Sequence, residues 1–529
     1  MDAEALARII EDFITESCGD SSHGGPSGMG AAGLLVMEDG APAFDLAAAR
    51  YSLSTEHGRC LLHMWSAERN TVRRVLTAER KRDLLKLSVQ RFGRSQPVTL
   101  EICRGADHRT PTERKKARTS YERRLRQVLE RNFAGFSIAK LTSSTDLARS
   151  FGPVYTRGLL RRGISALAVL GVNGQETQSA IDASLTSGIL WLDHCRSLET
   201  RVYVEGLHLF VPKGTSSVVR ERAAHMDPSL ARWRVYELDE TDGALQEIDC
   251  SDRGNIATRL VQCFDERMAR GRFESSIARM RMLAPECQVA AISSAEISFR
   301  IFGLEFARAR LAPEPGTFQH REAITFGVGA FETALTPETE GQFLSVVHRL
   351  MNSRRPDGNR EDPLWRMAPE RWMESLVERD VCAIDDRLDG NFAYSQVPAF
   401  SASDRAMIDI LSVTRSGRLA IIELKANEDI QLAMQGLDYW ARVTWHQQRG
   451  EFQRFGYFPG VELSDQKPLL LLVAPALQVH PAMDTLLRYI SPEIEYEVIG
   501  IDERWREHLR VIFRRRREER SSASAANRG

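Results

Sequence analysis

The chain has 529 residues, 43% apolar and 27% charged, with a formal net charge of −1. This is the composition of a globular protein in water, not of a collagenous or disordered chain, and no apolar run reaches the roughly 18 residues a membrane helix needs. Eight cysteines are scattered without C-x-x-C or Cys/His ligand spacing, which excludes a structural zinc motif and points to reduced thiols in a cytoplasmic protein, with no membrane partner.

The first predicted element is a helix over residues 1–17, whose early acids do not fit a signal peptide. A glycine-rich stretch follows, containing Gly28, Gly30 and Gly33 in a formal G-x-G-x-x-G. No strand precedes it and a strand-like run follows it, the reverse of a dinucleotide site, so it reads as a linker. Short strands with turns then continue to about residue 104, giving residues 1–118 the reading of a basic β-rich N-terminal module. Residues 69–131 carry 19 Lys and Arg against 7 Asp and Glu, a local charge of +12 that leaves −13 elsewhere. Such an asymmetry suits either phosphate contact or solvated helix faces. Arg73, Arg74, Lys81, Arg82, Arg114, Lys115 and Lys116 are the candidate nucleic-acid contacts.

Residues 105–119 read as a polar linker. Beyond it, a helix with Tyr121, Leu125, Val128 and Leu129 on one face alternates with strands, so 119–253 is expected to be an α/β domain. Residues 254–350, including SSAEISFRIFGLEFARARL, read as a mainly helical connecting region, and 351–363 as a polar linker. The last domain, 364–513, opens with Pro369 at a helix start and continues as strand, hairpin, helix, strand, helix, strand, strand. Residues 514–529 read as a disordered basic tail. The expected fold class is thus α/β multidomain, with an N-terminal β-rich module and a middle α/β and helical region.

The hairpin of the last domain carries the chemistry. Side chains alternate along a strand, so Asp409 shares a face with Leu411 and Val413, while Glu423 and Lys425 share one with Leu419 and Ile421. A three-residue loop, Arg415-Ser416-Gly417, with glycine in the left-handed position would pair Thr414 with Arg418. Asp409 then falls opposite Glu423. A two-residue loop would send the acids to opposite faces. Two facing buried carboxylates repel, and a divalent cation with oxygen ligands would compensate them. Lys425 could neutralise the pair, touch a phosphate or help deprotonate a water. A purely structural Asp409–Lys425–Glu423 trio is the alternative, although buried ion trios stabilise poorly. On the next helix Gln431, Gln435 and Tyr439 are spaced to share a face.

Asp409, Glu423-Leu-Lys425 and Gln435-x-x-x-Tyr439, in that order, resemble the PD-(D/E)XK nuclease superfamily, especially its RecB-like branch with the QxxxY helix motif. The resemblance covers about 364–513 and implies a restriction-endonuclease-like αβββαβ core. It departs from the family's name at Ile408, where the proline would stand. It implies a catalytic set of Asp409, Glu423, Lys425, Gln435, Tyr439 and Glu374. Asp409, Glu423 and Glu374 would ligate Mg²⁺ or Mn²⁺, with Glu370 and Glu378 as rivals to Glu374. The implied activity is metal-dependent DNA hydrolysis in repair, restriction or phage defence, on double- or single-stranded DNA, with a homodimer as one arrangement. A catalytically inactive nucleic-acid-binding protein with a nuclease-like fold is the alternative. Residues 121–250 repeat helix–strand–helix–strand without E-x-K, which admits a second, degenerate nuclease-like fold.

Overall fold

The computed structural model describes residues 3–16 and, from 34 to 517, all but the short segments 39–40, 47–49, 57–58, 66–69, 81–83, 92–96, 105–110, 147–150, 199–200, 254–255, 257, 314–319, 328–332 and 401–404. The chain divides into two compact units, one from residues 1–110, 266–354 and 358–368, the other from 111–265, 355–357 and 369–529. The architecture is mixed α/β with several multistranded sheets. Among the described residues no helix is long and apolar enough to cross a membrane. The glycine-rich G-x-G-x-x-G stretch lies outside the described residues.

The first unit begins with helix α1 (Ala3–Glu16) and strands β1 (Leu34–Glu38), β2 (Ala41–Asp45), β3 (Arg50–Glu56), β4 (Arg59–Trp65), β5 (Asn70–Arg80), β6 (Leu84–Arg91) and β7 (Pro97–Arg104). They form an antiparallel sheet in the order β2-β1-β7-β6-β5-β4-β3. Leu6, Ile10 and Phe13 fall on one stripe of α1 and share a core with Leu62, Val75 and Leu87 of the sheet.

The second unit starts with α2 (Pro111–Asn132), β8 (Ser137–Thr142), β9 (Tyr155–Arg162), β10 (Ser165–Val172), α3 (Gln178–Asp182), α4 (Ser184–Leu198), β11 (Tyr203–Pro212), α5 (Ser217–Ala223), β12 (Arg232–Leu238) and β13 (Leu245–Ile248). The linker expected over 105–119 is corrected here. Helix α2 already begins at Pro111, where a missing N–H costs nothing, and its Arg, Lys and Glu residues are good helix formers.

The first unit resumes with α6 (Glu266–Arg272), α7 (Glu274–Leu283), β14 (Gln288–Ser293), β15 (Glu296–Ile301), β16 (Leu304–Pro313), β17 (His320–Phe326), β18 (Thr333–Ala334), α8 (Glu340–Ser353) and α9 (Pro363–Arg366). The mainly helical reading of 254–350 is therefore corrected, because β14–β18 form a five-stranded antiparallel sheet. The stretch expected as one helix is the β15–β16 hairpin. Ile297, Phe299 and Ile301 are buried at a period of two, and a two-residue turn follows in which Phe302 (φ 44°) and Gly303 (φ 75°) are both left-handed.

The second unit ends with α10 (Pro369–Arg379), β19 (Leu388–Phe400), β20 (Arg405–Thr414), β21 (Leu419–Leu424), α11 (Leu432–Gln448), α12 (Glu451–Arg454), β22 (Leu469–Pro475), α13 (Met483–Arg488), β23 (Tyr496–Ile501) and β24 (Val511–Arg516). The tail expected from 514 is corrected in part. Arg514, Arg515 and Arg516 belong to β24, and Arg514 and Arg516 reach the fully buried Glu497 on β23 at 3.4 and 3.0 Å. An ion pair with a buried acid is reason enough for an arginine run to join a sheet edge.

The second unit contains the same arrangement twice. Its two six-stranded sheets run β8-β9-β10-β11-β12-β13 and β19-β20-β21-β22-β23-β24. In each, the pairings in that order are antiparallel, antiparallel, parallel, parallel, antiparallel. In each, one helix precedes the sheet, a long helix with a short companion makes the first parallel crossover (α4 with α3, α11 with α12), and a short helix makes the second (α5, α13). Gly206 pairs with Arg232 and Leu470 with Tyr496, both 26 residues on. A glycine at the same place on each long helix permits close approach to the sheet: a Cβ on Gly188 would lie 2.7 Å from Leu207 and 2.8 Å from Leu209, and one on Gly436 2.6 Å from Leu472 and 3.1 Å from Leu470.

The two lobes meet reciprocally. Helix α4 of the first lobe touches α13 of the second, and α11 of the second touches α5 of the first. Arg222 on α5 holds Asp438 on α11 with two hydrogen bonds of 3.0 and 2.8 Å, and Arg488 on α13 holds Asp193 on α4 at 3.1 Å. After α5 and α13 the two segments form an antiparallel bridge, Met226 to Ile490, with Asp227 N–H donating to Tyr489 O and Ser491 N–H to His225 O, both at 2.8 Å. Such exchange of equivalent partners is the signature of a two-fold, isologous interface. One continuous apolar core includes Leu170, Leu192 and Leu209 of the first lobe with Ile421, Leu437 and Leu472 of the second.

Candidate active site

The site lies at the carboxyl end of β21. This strand is buried on both faces, as expected of the centre of a partly parallel sheet. Ile410, Leu411, Ser412 and Val413 pair with Ile422, Ile421, Ala420 and Leu419, and Thr414 N–H donates to Arg418 O at 2.7 Å. Gly417 is left-handed (φ 82°), so the connection is the three-residue loop Arg415-Ser416-Gly417. One step beyond Ile410 and Ile422, the register brings Asp409 to Glu423.

The two carboxyl groups are near enough that each bears on the other's proton affinity. Asp409 Oδ2 also accepts the Leu424 N–H at 2.9 Å, and Lys425 Nζ donates to Glu423 Oε1 at 3.2 Å. Glu423 is 1% exposed. Burial, then the charge of Asp409, pushes its carboxyl well above the usual carboxylate range. Burial also raises Asp409, though Lys425 and the Leu424 N–H oppose it. Burial works against the Lys425 ammonium, but Glu423 and Asp409 outweigh it and raise its pKa, so it stays charged. The two acids thus disfavour each other's charge, and Lys425 opposes that while being held charged by them.

Helix α11 supplies the polar wall. Burial, Glu423 and Asp409 hold the Tyr439 phenol well above its ordinary range, which keeps it a proton donor. Gln435 Oε1 is buried with no hydrogen-bond partner. Gln431, expected on the same face, is engaged elsewhere: its Oε1 accepts Thr186 Oγ1 of the first lobe at 2.9 Å.

Helix α10 distributes its acids differently from expectation. Glu374 is buried and pairs with Arg371 at 3.1 Å, and Glu378 accepts Ser395 Oγ at 3.2 Å. Glu370 comes nearest the hairpin's end, accepting the Ala426 N–H at 3.4 Å. Among the described residues no three His, Cys, Asp or Glu side chains gather to hold a metal. Arg371, which the sequence reading did not single out, also opposes the rise at Asp409 through its charge. Its only sequence signal is its place three residues before Glu374 on the same helix.

A divalent ion can be tested against these donors. Glu423 Oε2 and Gln435 Oε1 are both buried without a hydrogen-bond partner, and uncompensated buried oxygens are costly. Two carboxylates with an orphaned oxygen suit a hard cation such as Mg²⁺, which accepts one or two protein carboxylates and completes its shell with water and substrate. The donor set fits.

The basic candidates fall in both units. Arg73 is spent on a forked pair with Glu38 at 2.7 and 3.1 Å. Lys81 and Arg82 lie outside the described residues, and Arg74 is partly exposed. Lys115 and Lys116 are exposed on α2, with Arg114 partly so. Arg73 and Arg74 belong to the first unit, and Arg114, Lys115 and Lys116 to the second.

Compared with protein-family models and with curated proteins, the chain matches none.

Proposed function

We propose that the second lobe of the second unit is a restriction-endonuclease-like αβββαβ core of the PD-(D/E)XK kind and that the chain is a metal-dependent DNA nuclease. The observation that carries this reading is the facing pair of buried carboxyls, Asp409 and Glu423, with Lys425 against them and the Glu423 Oε2 left unpartnered. A fold that only needed stability would do better with apolar residues at these places.

In this reading Asp409 and Glu423 would hold Mg²⁺ or Mn²⁺, which would supply an activated water and charge neutralisation on the phosphate. Water adds to phosphorus, the bond to the leaving sugar oxygen breaks, one water proton departs, and the leaving oxygen takes up one. Lys425 enters as a fixed ammonium that faces the negative charge developing on phosphorus. Tyr439, protonated, and Gln435, through its amide N–H, donate to phosphate oxygens. Leu424 N–H, by holding Asp409 Oδ2, orients the Asp409 carboxyl group. Burial of the pair excludes the competing water that would weaken each of these interactions.

The test is cleavage of plasmid and single-stranded DNA with Mg²⁺ or Mn²⁺. Wild type should cut, and Glu423→Ala and Lys425→Ala should each lose at least about 100-fold, as when a transition-state donor is removed. Equal cleavage by all three would discard the assignment. DNA binding without cleavage by any would favour the alternative of an inactive nucleic-acid-binding protein.

A further inference from the structure

We propose that this chain is a built-in nuclease dimer with one live centre, which breaks a single strand of duplex DNA per engagement and leaves a nick. The inference rests on the hydrolytic reading of the second lobe and adds to it what the first lobe says about the product.

The two lobes can be compared position by position, because their pairings match. Glu423 pairs with Leu472 on the next parallel strand, and Leu470 and Leu472 pack against Gly436. In the first lobe Leu207 and Leu209 pack against Gly188, and Leu209 pairs with Leu170. Leu170 therefore stands where Glu423 does, and Val172, two residues on, stands where Lys425 does. Across the hairpin Leu170 pairs with Arg157, which takes the place of Asp409. Ser187 and Trp191, which flank Gly188 as Gln435 and Tyr439 flank Gly436, complete the correspondence. No carboxylate, lysine, amide or phenol of the second site has its counterpart in the first.

The first site is also closed. Arg157 is 2% exposed; its guanidinium lies 4.8 Å from the Phe151 ring and 5.8 Å from the Trp191 ring, and it donates to Ser144 O. Trp191 is pinned by a 2.8 Å bond from Nε1 to Gly158 O, with Lys140 Nζ 5.4 Å from its ring. A buried cation packed against two aromatic rings, with Asp146 partly offsetting its charge, disfavours a divalent ion and occupies the space a phosphate would need.

A two-fold pair of centres matches the two-fold relation between antiparallel DNA strands, so two live lobes would address both. With the reciprocal interface kept and one centre closed, one strand remains addressed. Each event consumes one water and breaks one phosphorus–oxygen bond.

The experiment follows supercoiled plasmid under single-turnover conditions with the full chain and Mg²⁺ or Mn²⁺, alongside Mn²⁺ binding by electron paramagnetic resonance. Open circles should accumulate nearly to completion before linear DNA appears, at a rate first order in protein. Carboxylate-dependent Mn²⁺ binding should disappear in Asp409→Asn. Arg157→Met should leave the nicking rate within about twofold, with folding checked by circular dichroism. Linear product without a nicked intermediate, a rate second order in protein, or loss of nicking in a folded Arg157→Met would each overturn the single-centre inference while leaving hydrolysis by the second lobe standing. No Glu423-dependent cleavage of any DNA would instead overturn the hydrolytic reading, and this inference with it.

Discussion

At the scale of single residues, Glu423 shows how a site is made at the expense of stability. Its carboxyl is held above the ordinary range by burial and by Asp409, so the folded chain keeps a proton that the unfolded chain releases. That favours folding below the ordinary carboxylate range, and the contribution is lost as pH rises toward the raised value. Glu423→Gln, which needs no proton, should therefore melt later than wild type at pH 8, by on the order of 1 kcal/mol without added metal, and the difference should vanish near pH 4. Added Mg²⁺ should raise the wild-type melting temperature and leave the variant's unchanged. A wild-type curve that is flat with pH and indifferent to Mg²⁺ would contradict this account. The acids and Lys425 are legible in sequence because charges inside two apolar runs are conspicuous. Arg371 is not, because a cation on a helix surface has many ordinary uses, and only the tertiary fold carries it toward Asp409.

At the scale of elements, the β20–β21 hairpin is the clearest case of local reading, since Gly417 fixes the loop and the loop fixes which residues face each other. The β15–β16 hairpin is the opposite case. Its turn, Phe302-Gly303, lacks the Asn-Gly or Asp-Gly signature, and its apolar residues satisfy a helical period almost as well as a strand period. The ion pairs between helices give a test at this scale. Arg222 is buried and holds both Asp438 and the Asp182 carbonyl, so Arg222→Ala strands a carboxylate and should cost about 3 kcal/mol in denaturant unfolding. Arg488 at the reciprocal contact is more than half exposed, and Arg488→Ala should cost under about 1 kcal/mol. Equal costs would mean that burial does not set the difference.

At the scale of the whole molecule, the repeat of one strand order within the second unit was only half visible in sequence. The alternation of helix and strand could be read, but the two lobes share no motif, because the residues that mark the second site are absent from the first. The kinship survives in pairing sense, crossover length and a glycine under each long helix, all of which are properties of the backbone. The lobes share one apolar core, so they should unfold in a single transition. A fragment of residues 369–517 should aggregate or bind a hydrophobic dye, whereas 111–517 should not; a soluble, cooperatively folded 369–517 would contradict this. The two lobes are also parts of one covalent chain. Separate subunits, one intact and one blank, would assort into like and unlike couples, and dilution would part them. A covalently continuous pair admits only the unlike couple at any dilution, so its asymmetry is inherited with every copy translated.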